Sequence, residues 1–511
     1  MDRREFLGGV SGLGAMAAIP ALSPRTVAAS ELPAEITNMS ASVLSAAIRQ
    51  RHVSCKDVMQ AYLDRIGTYN PVYNAIVSLR EEDELIAEAD AADRELDHGK
   101  YRGWMHGMPH AVKDLSSVKG LPTSYGSPIF AGQIATDDDF MVSRLRAQGP
   151  IFIGKTNTPE FGMGSQSYNP VFGATGSAYN PALTAGGSSG GAACGLGTQM
   201  LPVADGSDMM GSLRNPAAFN NVIGFRPSYG RVPAGGAGDL FYLQLAVSGP
   251  MGRNTEDTIR LLCTQTGDNS GDPLALRDKL PDADQFKPAR LKGLKIGWMG
   301  DYEGYLETEA GVLDLCEQSL KQLGNHGVIV ESCKPDYDMD RLWNTWLTLR
   351  HWRRHTMHPL YNDPALRAKL KPEVVWEIEG SFNKSSTDIF EAGAARSDWF
   401  RAVHALLDQY DFLVLPTAQV FPFSKDVHWP KTIKDREMDT YHRWMEVVIG
   451  GSLASVPVVS VPVGFDKAGR PMGMQVIGRF GDDKRVLEFA LAYEAVTEYL
   501  EVEPNLMAHQ L

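Results

Sequence analysis

From Ala41 to about Leu96, apolar residues return at three- and four-residue spacing, as in Ala41-Ser-Val-Leu-Ser-Ala-Ala-Ile-Arg and Asp57-Val-Met-Gln-Ala-Tyr-Leu-Asp-Arg-Ile. That period marks one face of an α-helix and predicts packing helices. Further along, the apolar runs shorten to His110-Ala-Val beside Lys113, Ile151-Phe-Ile, Leu294-Lys-Ile-Gly, Phe412-Leu-Val-Leu and Pro457-Val-Val-Ser-Val-Pro. Runs of this length between helical stretches predict strands alternating with helices, and so an α/β layer architecture. Between about Asp301 and Arg401 the texture changes: Trp343, Trp346, Trp352, Trp376 and Trp399 stand among helical stretches and many charges. This interval predicts helices that cap the core, and tryptophans in such a stretch are ordinarily core.

The first thirty residues follow another pattern. Arg3-Arg4 precede Glu5-Phe6-Leu7, an apolar Gly/Ala/Leu run reaches Leu22, and Val27-Ala28-Ala29 supplies small residues before Ser30. Twin arginines, a weakly apolar stretch and a small-residue cleavage site predict a twin-arginine export leader over residues 1–29, with the folded domain over 30–511. The expected location is then periplasmic or secreted, with no stable membrane insertion once the leader is gone. No other segment approaches the ~20 apolar residues a membrane span needs.

At 511 residues, with 43% hydrophobic and 22% charged, the chain can bury a large core and is not of disordered composition. A formal charge of −13 argues against nucleic-acid or anionic-membrane partners, which call for a basic footprint. Cys55, Cys194, Cys263, Cys316 and Cys333 are scattered, odd in number and without a Cys-x-x-Cys pair. Neither a disulfide framework nor a zinc ribbon is indicated, and buried free thiols are expected.

The chemistry concentrates between Gly186 and Ser212. The chain there reads Gly-Gly-Ser-Ser-Gly-Gly-Ala-Ala-Cys-Gly and then, from Ala204, Ala-Asp-Gly-Ser-Asp-Met-Met-Gly-Ser-Leu-Arg-Asn. Glycines around Ser188 and Ser189 leave successive N–H groups able to face an anion. Ser188 and Ser212 on such backbone suggest a nucleophile and a proton relay, given a base elsewhere. Lys113, at the end of an apolar run, offers one, because burial disfavours the ammonium. A strand-end Lys-Asp is also the pattern of a surface ion pair. Met209 and Met210 read either as plain core or as residues whose N–H groups face an oxyanion while their thioethers shape a pocket.

Two other patterns lead elsewhere. Gly149-Pro-Ile-Phe-Ile-Gly-Lys-Thr matches the phosphate-loop pattern literally. Pro150 lacks an N–H, however, and Ile151-Phe-Ile reads as a buried strand, so nucleotide binding is a remote alternative. His351, His355 and His358 would stack on one helical face, but Arg353 and Arg354 intervene and no carboxylate joins them. A partly exposed helical face is the better reading, and no metal is expected.

Taken with Lys113, Ser188 and Ser212, a series of segments resembles the amidase signature family. Leu63-Asp64-Arg65-Ile66, Asn74-Ala75-Ile76, Gly107-Met-Pro-His-Ala-Val-Lys-Asp and Gly154-Lys-Thr-Asn-Thr-Pro-Glu-Phe belong to it. Gly224-Phe-Arg-Pro-Ser-Tyr-Gly-Arg-Val, Ser248-Gly-Pro-Met-Gly-Arg, Tyr410-Asp-Phe-Leu-Val-Leu-Pro-Thr, Ser455-Val-Pro-Val-Val-Ser-Val-Pro-Val-Gly-Phe and Gly473-Met-Gln-Val-Ile-Gly-Arg continue it, so it covers roughly residues 38 to 498. The resemblance implies an α/β/α sandwich around a large mixed, twisted sheet, with a variable helical cap about 301–401 whose tryptophans hint at an apolar or aromatic acyl group. It implies hydrolysis of a carboxylic amide without a cofactor, on a small-molecule substrate, with a homodimer as one possible assembly. By position, Ser212 matches the nucleophile, Ser188 the relay after a cis peptide bond and Lys113 the base. The N–H groups of Met209, Met210, Gly211 and Ser212 match the oxyanion hole, and Ser189, Asp208 and Arg214 match supporting positions. Met210 stands where the family commonly has glycine, and its side chain is expected to point into the pocket and narrow it. The alternative within the family is the glutaminase-type component of an amidotransferase; a non-catalytic binding protein on the same scaffold is a remote one.

Overall fold

The computed structural model describes residues 32–234, 239–242 and 244–509; the leader expected over 1–29 lies outside them. The helical period of the N-terminal third resolves into Ala41–Arg49, Cys55–Tyr73 and Glu82–Asp97. Ser40 and Ser54 open the first two, each side chain accepting the N–H three residues on. Asn74 ends the second with φ 52°, a left-handed cap that asparagine tolerates.

A three-stranded sheet and an eight-stranded sheet follow. The strands are β1 (Ile76–Val77), β2 (Pro109–Lys113), β3 (Ile151–Thr156), β4 (Ala204–Asp208), β5 (Ile223–Arg226), β6 (Val247–Gly252), β7 (Lys295–Trp298), β8 (Ile329–Ser332), β9 (Phe412–Pro416), β10 (Val458–Phe465) and β11 (Pro471–Ile477). The small sheet runs β1-β3-β2, and the large one β8-β7-β9-β11-β10-β5-β6-β4. In the large sheet β7 is parallel to β8 and β9, and the remaining pairings are antiparallel, so the sheet is mixed. β11 is buried along its whole length and β10 up to its last residue, as expected of central strands covered on both faces. Arg214–Asn220 packs on β11, β10 and β5, while Val312–Asn325 and Asp483–Thr497 also pack on β10. All five apolar runs singled out in the sequence are strands.

The interval 301–401 divides. Its first part, helix Val312–Asn325 and edge strand β8, belongs to the sheet layers; the helices from Met339–Trp352 to Ser386–Leu407 form the cap-like part. Trp343, Trp346 and Trp399 are buried in the core, which removes the hint of an aromatic acyl site drawn from them. The three histidines do not share one helix face. The α-helix stops at Trp352, a 3-10 turn carries His355, His358 begins a new helix, and His351 is buried against Trp376 rather than partly exposed.

Candidate active site

Lys113 ends β2 with a side chain only 1% exposed. One carboxylate, Asp205 on β4, joins the small sheet to the edge of the large one. It accepts the Lys113 backbone N–H at 3.2 Å and lies 3.0 Å from His110 Nε2. This side-chain bridge sets the end of β2 over the serine-rich block. Lys113 Nζ donates to Ser188 Oγ at 2.7 Å, Ser189 Oγ at 2.8 Å and Ser207 Oγ at 3.1 Å. Burial pushes the ammonium down from 10.5 to about 7, against the opposing pull of Asp205 and Asp208. The surface ion-pair reading of Lys113 is therefore wrong. Ser207 is a third hydroxyl that the motif match did not flag, and its signal was present as the Ser between Gly206 and Asp208.

Ser188 follows a cis peptide bond after Gly187. A Cβ on Gly187 would lie 2.9 Å from the Gln166 backbone, so only glycine lets the two segments approach. Helix Gly190–Gly197 starts immediately after Ser189, whose N–H donates to the Ser212 carbonyl at 3.2 Å. The two halves of the block are thereby fastened to each other.

Asp208 organises the second half. Its carboxylate accepts the N–H of Gly211 at 3.0 Å and of Leu213 at 3.1 Å. The Arg214 guanidinium binds it bidentately at 2.9 Å, and Arg226 Nη1 lies 3.2 Å away. Burial works to raise this acid, but Arg214 and then Arg226 overrule it and hold it well below the usual carboxylate range. Arg214 also donates to the Val448 carbonyl and to Ser452 Oγ, both at 2.9 Å, anchoring the loop across the sheet. Both residues are thus placed as support.

One expectation changes. The Gly211 N–H is spent on Asp208, so it cannot face an oxyanion without giving up that bond. Among the described residues, the N–H groups of Met209, Met210 and Ser212 carry no such internal bond. The positive φ of this loop falls on Gly211, at 78°, where a Cβ would meet Asn215 Oδ1 at 2.2 Å. Met210 escapes that conformation and is a regular buried residue lining the cavity.

Ser188, Ser207, Met209, Met210 and Ser212 line one cavity of about 170 Å³, and Lys113 reaches it through its bonds to Ser188 and Ser207. The rest of its wall comes from distant segments: Leu115, Phe161, Gly162, Gly164, Ala246, Arg350, Arg353, Arg354, Tyr441, His442 and Met445. A larger groove of about 1010 Å³ beside Trp352 and Phe390 contains none of the serines of the block.

Lys155, the lysine of the phosphate-loop match, is buried in β3, where its ammonium donates to the Ser116 carbonyl. A strand fills the place where a phosphate loop would be needed. All five cysteines are free thiols: Cys55, Cys194 and Cys316 are buried, and Cys263 and Cys333 are partly so. Among the described residues no helix is long and apolar enough to cross a membrane.

The Amidase family model matches residues 57–487. The chain is 28% identical over 470 residues to an acylamidase of Rhodococcus erythropolis, covering 91% of this chain and 97% of that protein. A solved bacterial aryl acylamidase of the amidase signature family superposes with a TM-score of 0.85 at 26% identity, covering 91% of this chain and 98% of that one. A solved peptide amidase of Stenotrophomonas maltophilia superposes with a TM-score of 0.75, also at 26% identity, covering 91% and 98%. With a family model spanning most of its length and whole-length relatives of the same fold, the chain belongs to the amidase signature family and is a hydrolase of amides.

Proposed function

We propose that Ser212, Ser188 and Lys113 carry out this hydrolysis through an acyl-enzyme. The observation that carries the reading is a lysine buried 2.7 Å from a serine that shares a small cavity with a second serine, its ammonium pushed by burial down to about 7. Neutral Lys113 takes the Ser188 proton as Ser188 takes that of Ser212. The freed Ser212 oxygen attacks the amide carbon, and the charge on the carbonyl oxygen is met by the N–H groups of Met209, Met210 and Ser212. The C–N bond breaks, and the proton returns through Ser188 to the departing nitrogen. Water then enters by the same relay, cleaves the ester and restores Ser212, giving an acid and an amine or ammonia. Ser189 and Ser207 hold the lysine on the relay axis.

An amide panel on wild type, Ser212→Ala and Lys113→Ala tests this: turnover is expected in the wild type alone, and turnover retained in both variants would sink the mechanism. We further propose export, supported by Arg3-Arg4 and the apolar run behind them. Fractionation of a bacterial host with and without Arg3→Lys/Arg4→Lys tests it, and an unchanged cytoplasmic pool in both would contradict it.

A further inference from the structure

Part of the cavity wall is cationic, lined by Arg350, Arg353 and Arg354. Arg350 and Arg354 converge on one buried carboxylate, Glu377, which lies behind the wall and also accepts the Tyr441 hydroxyl. Two guanidinium charges thus share one carboxylate. Arg350 and Tyr441 both bond Oε1 of Glu377, and Arg354 reaches the other oxygen, Oε2, through Nε at a long 3.4 Å. Among the described residues Arg354 makes one further hydrogen bond, from Nη2 to the Met209 sulfur at 4.0 Å, a weak acceptor for one of its five N–H donors. Arg353, with Asp239 in its electrostatic field, lines the same wall. No Asp or Glu among the described residues lines the cavity.

His442 gives a second, independent sign. It is 1% exposed and lines the cavity, yet neither ring nitrogen has a hydrogen-bond partner. Burial, reinforced by Arg350, holds this imidazole well below its ordinary value and therefore neutral. A buried polar ring without partners costs stability unless something else satisfies it, and a ligand in the cavity would do so.

We propose that the substrate is a small amide bearing a carboxylate a few bonds from the scissile carbonyl, with Arg354 as the anchor of that carboxylate and His442 as a neutral partner. The proposal rests on the hydrolytic reading above and names the substrate class of that site. The volume of about 170 Å³ suits a group near the size of a short dicarboxylic chain. A free amino-acid amide such as glutamine fits less well, because its ammonium would meet guanidiniums with no lining carboxylate to receive it.

Calorimetric binding to the full chain carrying Ser212→Ala separates this claim from catalysis. Succinamate places the carboxylate on the acyl side, N-acetylglycine places it on the amine side, and butyramide is the neutral match. At least one of the two anions is expected to bind about tenfold to a hundredfold tighter than butyramide, the range of a charge-assisted hydrogen bond. Arg354→Met should abolish that difference, and Arg354→Lys should keep part of it, retaining the charge without the fork. Equal binding of anions and butyramide would overturn the proposal, as would a preference that survives Arg354→Met in a protein of unchanged circular dichroism. Glutamine binding as tightly as succinamate would overturn the exclusion of the ammonium. Anion preference without turnover of any amide by the wild type would overturn the hydrolytic reading while the anion site stands.

Discussion

Lowering the pH from 9 to 6 should cut kcat/KM on a neutral amide about tenfold, because in the proposed mechanism the base is Lys113 and only about a tenth of it is neutral one pH unit below its midpoint. At its ordinary value of 10.5 about one lysine in three thousand would be neutral at pH 7; at about 7, half are. The same shift leaves a mark on stability. Between about 7 and 10.5 the unfolded chain holds a proton at Lys113 that the folded chain does not. Stability therefore rises with pH across that window, by about 1.4 kcal/mol per pH unit and about 5 kcal/mol in all, and falls as pH drops toward 7. Lys113→Met lacks this slope. Urea midpoints of both proteins at pH 7 and 9 should show the wild type gaining about 2 kcal/mol on the variant between the two conditions, the slope being only half its full value at pH 7. Parallel stability curves, or a kcat/KM limb near pH 10, would refute the claim that burial sets the base.

Asp208→Asn should cost about 3–5 kcal/mol, since it leaves two buried guanidiniums without their carboxylate, and should abolish turnover by releasing the Gly211 and Leu213 N–H groups; a melting curve and an amide assay check both. Asp208 itself contributes stability above its ordinary 3.8 that is lost as pH falls below that value, so the variant should also have a flatter acid limb of unfolding. Met210→Gly should widen the cavity and raise kcat/KM for branched acyl groups relative to straight ones, and an unchanged acyl profile would show that Met210 does not narrow the pocket. Iodoacetamide at neutral pH should leave activity intact, because burial pushes Cys263 up to about 12 and Cys333 up to about 11, and the other three thiols are buried.

The strands and the chemical block were legible because both are local. β2, β3, β7, β9 and β10 are short apolar runs, and the serines sit in a composition that few folds use. Lys113 was legible as a candidate base from its place at the end of an apolar run, and the resemblance favoured that over a surface ion pair; Asp205 as the bridge between sheets depends on strands nearly a hundred residues apart. The loss of Gly211 as an oxyanion donor needed the side chain of Asp208 to be placed. Arg353 and Arg354 were visible, but only as residues interrupting a histidine row. Their meaning lay in Glu377, Tyr441 and His442, which come together from segments far apart in the chain with no shared periodic signal. The tryptophans misled for the converse reason: a large apolar side chain in a cap has the same pattern whether it lines a site or fills the core.

The most direct test of the account is the mass of the protein after reaction with a fluorophosphonate, followed by peptide mapping. A single adduct on Ser212 is expected in the wild type, none in Ser212→Ala, and labelling slowed by about a hundredfold or more in Lys113→Ala, the scale of losing a general base. An adduct on any other residue, or labelling in Lys113→Ala at the wild-type rate, would contradict it.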